Sequence, residues 1–458
     1  MSRILIPLIA LALLAACHTG AGPASFKEDV MHNTPATLFA ADATVWAVNV
    51  GGDAYVGIDG VHYSADESIE NGSSGSIGSI LGAQDGTVYQ SYRVGQLKIQ
   101  RAMPNGRYDL TFQFAEPEDI ASGDRVFDVF INGLKVIAAM DIRRARDGNH
   151  SSALDRSVTA VEVSNGQLDI EFRGGAVPPV LNGLIVRSQT PDTREWAPLW
   201  SDEFDGDSLD TGKWTIEVWP PGKVNREDQA YTDRDKNVRI ENGKLILEAH
   251  REVYDGGAYT SGRIDARDKG DFLYGRVDIR ARVPAGQGTW SALWMLPKDP
   301  FRYASTCAPG DDWQDWSCDA WPNSGEIDIM EHVGYDMGNV HGTVHNRAYY
   351  TKNAQQRKGS VEVPNIDKAF QIYSIDWDPE YIRVYVDGSL YFSYFRENAD
   401  WQAWPYDHPY HPILNLAIGG EWGRAGGPID DRIFPVRMEI DYVRVFKAVD
   451  SATTEKQL

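Results

Sequence analysis

Three acids crowd into Trp321-Pro-Asn-Ser-Gly-Glu-Ile-Asp-Ile-Met-Glu-His332. Glu326 and Asp328 are two residues apart, so on a strand, where side chains alternate, they share a face. Glu331 is five residues beyond Glu326, and strict alternation puts it on the other face. One extra residue in a β-bulge around Ile329-Met330 returns it to the carboxylate face, leaving Ile327 and Ile329 for the core. Three carboxylates on one face repel each other unless one is protonated or the cluster has a job. Retaining glycoside hydrolysis is such a job. It needs an ionised carboxylate as nucleophile and a protonated carboxyl as general acid, about 5 Å apart across the cleaved bond. A third acid can hold a proton and keep the two pKa values apart. On spacing alone, a solvated acidic strand edge is the alternative.

Aromatic residues flank the cluster. Trp290 and Trp294 are four apart and share a strand face. Two wide rings beside carboxylates suit a sugar platform, with core packing as the alternative. His341 and His345 are also four apart, but no third ligand at useful spacing follows and no HExxH pattern exists, so zinc is a poor reading. Lys+Arg 44 against Asp+Glu 66 gives a net charge of −22. Such a chain repels phosphate backbones and anionic membranes, which argues against a nucleic-acid partner.

The elements that must position these residues are strands. From Thr44 to Ser188, alternating runs such as Tyr108–Phe114 and Val126–Ile131 are separated by Asn105-Gly106, Asn132-Gly133 and Asn165-Gly166, which are hairpin signals. Residues 189–198 are polar, with two prolines, and read as a linker. The β pattern resumes over 199–449, with hairpins at Asn242-Gly243 and Asp387-Gly388, and 450–458 is a tail. Two stretches of this kind with no βαβ alternation predict an all-β chain of two sandwich domains. Met1 to Cys17 has an early Arg, an apolar run too short to span a bilayer, and small residues before a cysteine. It is similar to a bacterial lipoprotein signal, with Cys17 lipidated; plain secretion is the alternative. Residues 18–43 read as a tether from that anchor, which places the protein in the cell envelope, at the outer membrane or cell surface. Cys307 and Cys318 are then an even pair in an oxidising compartment, able to close a small disulfide loop or to stay free.

The stretch 199–446 resembles glycoside hydrolase family 16, and within it the bacterial endo-β-1,3-glucanases (laminarinases). The resemblance is carried by Ser201-Asp-Glu-Phe-Asp-Gly206, by the run Val283 to Pro297 and by Gly325 to Glu331. Val340-His-Gly-Thr-Val-His345, Leu414 to Trp422 and Asp441-Tyr-Val-Arg-Val-Phe446 extend it. It implies a concanavalin-like β-jelly roll with substrate in a concave cleft. Glu326 is then the nucleophile, Glu331 the general acid/base and Asp328 the assisting acid. Asn225, Trp290, Trp294, His345 and Trp422 line the cleft. Asp228 and Ala230 depart from the family pattern, as does Glu421, where Asn is usual. The resemblance brings no cofactor for the chemistry, but it implies a structural calcium held by Glu203, Asp441 and the Gly243 carbonyl.

Residues 44–188 resemble the malectin-like carbohydrate-binding domain, through Val48-Asn-Val-Gly-Gly-Asp-Ala-Tyr55, Val88-Tyr-Gln-Ser-Tyr92 and Arg125 to Gly133. That implies a β-sandwich with Tyr55, Tyr89 and Phe114 as sugar contacts; a domain that only spaces the enzyme is the alternative. The whole reads as a monomeric retaining endo-hydrolase of β-1,3-glucan, attached to the membrane through Cys17 only. The alternatives are a family 16 enzyme on mixed-linkage glucan or a galactan such as agarose or carrageenan, and a non-catalytic glucan-binding surface lipoprotein.

Overall fold

A computed structural model describes residues 34–315, 317–351 and 354–449. The signal segment with Cys17, the first part of the tether and the tail 450–458 lie outside the described residues. The regular secondary structure of the described residues is nearly all strand, as the alternation predicts.

The first domain is a two-sheet sandwich. One sheet orders Thr44–Asn49, Gly183–Ser188, Gly106–Phe114 and Leu154–Val163; the other includes Phe127–Ile131, Gln167–Gly174 and Lys98–Ala102. Leu110, Phe112 and Phe114 alternate along one strand and bury themselves against Ile99, Val129 and Phe172. The Asn132-Gly133 turn has both residues at positive φ, 48° and 80°. This is the conformation a two-residue hairpin demands, and Asn and Gly adopt it most readily.

The second domain packs two larger sheets around an apolar core that includes Ile327, Ile329, Met330, Leu414 and Val443. One sheet runs Arg357–Glu362, Asn339–His345, Glu326–Val333, Thr289–Pro297, Tyr410–Ile418 and onward. The other has Val436–Ala448 near its middle.

Two features depart from the sequence reading. The sandwiches are not separate bodies on a linker. Leu154–Val163 of the first pairs in parallel with Arg357–Glu362 of the second, from Asp155 opposite Gly359 to Val158 opposite Glu362. Among the described residues, one sheet of eleven strands crosses both domains. The Arg156–Glu362 ion pair, at 2.9 Å, and the Ser360 hydroxyl donating to the Asp155 carbonyl brace that seam. Nor is the end of the tether free. The Ala36 amide donates to Asp278, the Phe39 amide to the Gly388 carbonyl, and Leu38 packs on Tyr385 and Leu390. The linker's last residues join the strand Trp196–Asp202 against Val436–Ala448. Parallel pairing between segments 200 residues apart leaves no local signature, which is why periodicity did not reveal it.

Candidate active site

The strand Glu326–Val333 carries the bulge its spacing requires. Against Thr289–Pro297, Met330 faces Leu293 and Asp328 faces Trp294, so Ile329 is the extra residue. Against Asn339–His345, the register slips between Asp328 opposite Thr343 and Glu331 opposite His341. Ile327, Ile329 and Met330 are fully buried in the core. Glu326, Asp328 and Glu331 are thereby brought to the concave face, and small Ala292 opposite Glu331 leaves it room. Gly325 precedes the cluster at φ 87°, and a Cβ there would sit 2.3 Å from the Tyr410 hydroxyl. No other residue fits this turn into the carboxylate strand.

Each catalytic candidate has its own partner. The Trp321 indole donates to Glu326 at 3.0 Å, and the Trp290 indole donates to Glu331 at 3.1 Å. His345 Nε2 lies 3.7 Å from Glu326 and 3.4 Å from Asp328. These three side chains form the one cluster among the described residues with metal-ligand spacing. A hydrolase needs these same side chains together without an ion. Trp294 donates to Asn415 at 2.7 Å under the Arg263 guanidinium. Trp422 meets Trp290 and His341 edge-on. Asn225 sits at the cleft margin, donating to buried Glu227, which Gln229 and Tyr231 also hold. The departures from the family pattern have local reasons. Asp228 accepts from the Gly420 amide and from Arg424, and Glu421 faces Arg226 at 3.5 Å.

Burial and mutual repulsion shape the electrostatics. Glu326 is pushed up to about 8, first by burial and then by the Asp328 charge. Asp328 is driven well above the usual carboxylate range by burial and by Glu331. Glu331 is raised by burial, while His345, the Trp290 hydrogen bond and Lys358 pull it back. Three charges cannot coexist here at neutral pH. Burial and mutual repulsion keep protons on these carboxyls. A retaining glycosidase uses one carboxylate for attack and one carboxyl to protonate a departing oxygen; with Glu326 pushed up to about 8, that group must give up its proton before it can attack.

Comparison with known proteins agrees. Residues 225–444 match Glycosyl hydrolases family 16, and residues 44–177 match the Malectin domain. The Beta-glucanase of Rhodothermus marinus is 45% identical over 274 residues, covering 58% of this chain and 91% of that protein. The chain belongs to glycosyl hydrolases family 16. Glucan endo-1,3-beta-glucosidase A1 of Niallia circulans is 36% identical over 277 residues, which is 54% of this chain and 37% of that longer protein. The solved laminarinase from Rhodothermus marinus superposes with a TM-score of 0.51 at 44% identity, covering 57% of this chain and 100% of that one.

Not every residue read from the sequence sits at a site. Phe114 is fully buried among Phe112, Phe127 and Phe172 of the malectin sandwich, so it is a core residue and no sugar contact. Its period-2 neighbours Leu110 and Phe112 face the same core, and alternation alone does not say which face is wet. Tyr55 stacks on Tyr63, Tyr89 donates to Asp155, and both tyrosines line a cavity of about 130 Å³ between the malectin and family 16 domains. The calcium donors fare worse. Glu203 is gripped by two nitrogens of Arg444, each at 2.9 Å, and Asp441 by Arg280. Carboxylates already neutralised by guanidinium groups do not fit a calcium ion. Cys307 and Cys318 are disulfide-bonded, with Cα atoms 5.2 Å apart. Trp321, Asn415 and Lys358 were missed as site residues. Trp321 alone had a signal, standing five residues before Glu326 in the same motif.

Proposed function

We propose that the protein is a retaining endo-hydrolase of β-1,3-linked glucan. The observation that carries this is the bulged strand, which puts Glu326, Asp328 and Glu331 on one concave face with an indole on each glutamate. The names of the relatives, β-glucanases and laminarinase, support the linkage. Glu326 attacks the anomeric carbon and forms a covalent glycosyl ester as the bond to the leaving oxygen breaks. Glu331 gives that oxygen its proton. Water then attacks the same carbon, Glu331 takes its proton, and Glu326 is released, so configuration is retained. Asp328 takes no bond to sugar; it holds the proton balance of the pair.

The test is sugar release from laminarin, lichenan and agarose side by side, with the first cleaved fastest and into oligosaccharides. Glu326→Gln should lower the laminarin rate on the order of 10³-fold or more; wild-type rates in that variant would refute the assignment. A purely glucan-binding role has less support, since both glutamates are present and poised. We further infer a monomer, anchored in the cell envelope through Cys17. Labelled fatty acid should enter the wild type and be absent from Cys17→Ser; equal labelling of both refutes the anchor.

A further inference from the structure

Glu326 and Glu331 lie along one strand and act on opposite faces of the sugar ring at the cleaved bond. The line between them runs with the strand, so a polysaccharide chain held between them runs across the strands. In one direction it passes Asn339–His345 and Arg357–Glu362 and then meets Leu154–Val163 of the malectin domain, because the sheet is continuous. Three strand spacings are roughly 14 Å, the length of a few pyranose rings.

At that point the malectin domain presents the short helix Ile142–Ala145 and the turn after it. Lys358 shares a sheet row with Asp328, through Thr343, and its ammonium donates to the Ala145 carbonyl at 2.9 Å. Arg144 and Asp147 flank Ala145 on this turn and are exposed, Arg144 keeping a loose ion pair with Asp141 at 3.6 Å; Tyr335 packs beside Gly426, in the loop that follows Trp422. Asp147 acts on Lys358. Trp422 continues the aromatic rim that begins at Trp290. A guanidinium, a carboxylate, a phenol and an ammonium at the end of a row of rings offer donors and acceptors for sugar hydroxyls.

We propose that the malectin domain supplies the end subsite of the cleft, where Arg144 and Asp147, together with Tyr335 and Lys358, bind a hexose unit of the glucan a few rings from the cleaved bond. The direction of the chain rests on the hydrolase reading above. The domain thus acts as a wall of the active site and sets the preference for chain length.

The test is a titration of laminari-oligosaccharides of increasing length into the Glu326→Gln protein, with and without Arg144→Ala and Asp147→Ala. Both positions are exposed, and thermal melting checks that the fold is kept. Affinity should rise with length in the parent. Each added substitution should cost ~5-fold for chains long enough to reach the malectin domain, one hydrogen bond's worth, and under ~2-fold for the shortest. An equal loss at every length, or none at any, overturns the subsite. Wild-type turnover of laminarin is followed in parallel: its absence would count against the hydrolase reading, whereas the subsite is judged on the length dependence of binding.

Discussion

Asp328 never touches the reacting carbon, yet its charge is the second cause, after burial, of the raised affinity of Glu326 for a proton. Removing that charge lets Glu326 ionise at lower pH. In Asp328→Asn the acid limb of the pH–rate profile should move down by about one unit; an unmoved limb would mean that Asp328 does not set the balance. Lys358 acts in the opposite sense, pulling Glu331 down. Lys358→Met should shift the alkaline limb upward, read from the same profile. The buried acids also cost stability. Glu326 has an ordinary value of 4.5 and titrates near 8 when folded. The folded state therefore binds the extra proton between those values. Its stabilising share is complete below about pH 4.5 and is lost as pH rises to about 8. Glu326→Gln should consequently melt higher than wild type at pH 8, by on the order of 1–2 kcal/mol or a few °C, and show little difference at pH 4.

The bulged strand is the element on which the site depends. Ile329 is the residue that makes two positions face one. Deleting it leaves Glu331 four positions from Glu326, still on the carboxylate face of a regular strand, but removes the local bend and twist and shortens the run between the two glutamates by one residue. Activity on laminarin should then fall on the order of 10²-fold, because the bulge sets the spacing of the two glutamates across the cleaved bond. A deletion variant that folds and still turns over substrate at the wild-type rate would show that the bulge is dispensable. Gly325→Ala tests the turn before it. Its Cβ has no room beside Tyr410, Pro405 and Tyr406, so a loss of ~2–4 kcal/mol in chemical unfolding is expected.

For the molecule as a whole, the seam between the domains matters more than the segment that links them in sequence. A fragment of 199–449 alone would lose the partner of Arg357–Glu362 and leave Glu362 without Arg156. An uncovered strand edge invites aggregation. That fragment should melt lower and associate, as light scattering can show. A chelator should leave the melting temperature of the intact protein unchanged, because Arg444 and Arg280 already neutralise Glu203 and Asp441. A clear drop would restore a structural ion.

Local chemistry was written in the chain. Alternation, Asn-Gly turns and the five-residue gap from Glu326 to Glu331 dictate strands, hairpins and a bulge, because each depends on φ/ψ preferences and burial over a few neighbouring residues. The long-range relations were decided only by folding. The sequence could not say that Phe114 faces the core, that Arg444 and Arg280 take the carboxylates suited to calcium, or that Leu154–Val163 completes the sheet of a domain that begins after it. Those depend on which surfaces meet across 200 residues of chain, and backbone hydrogen bonding between strands is indifferent to the side chains that a sequence displays.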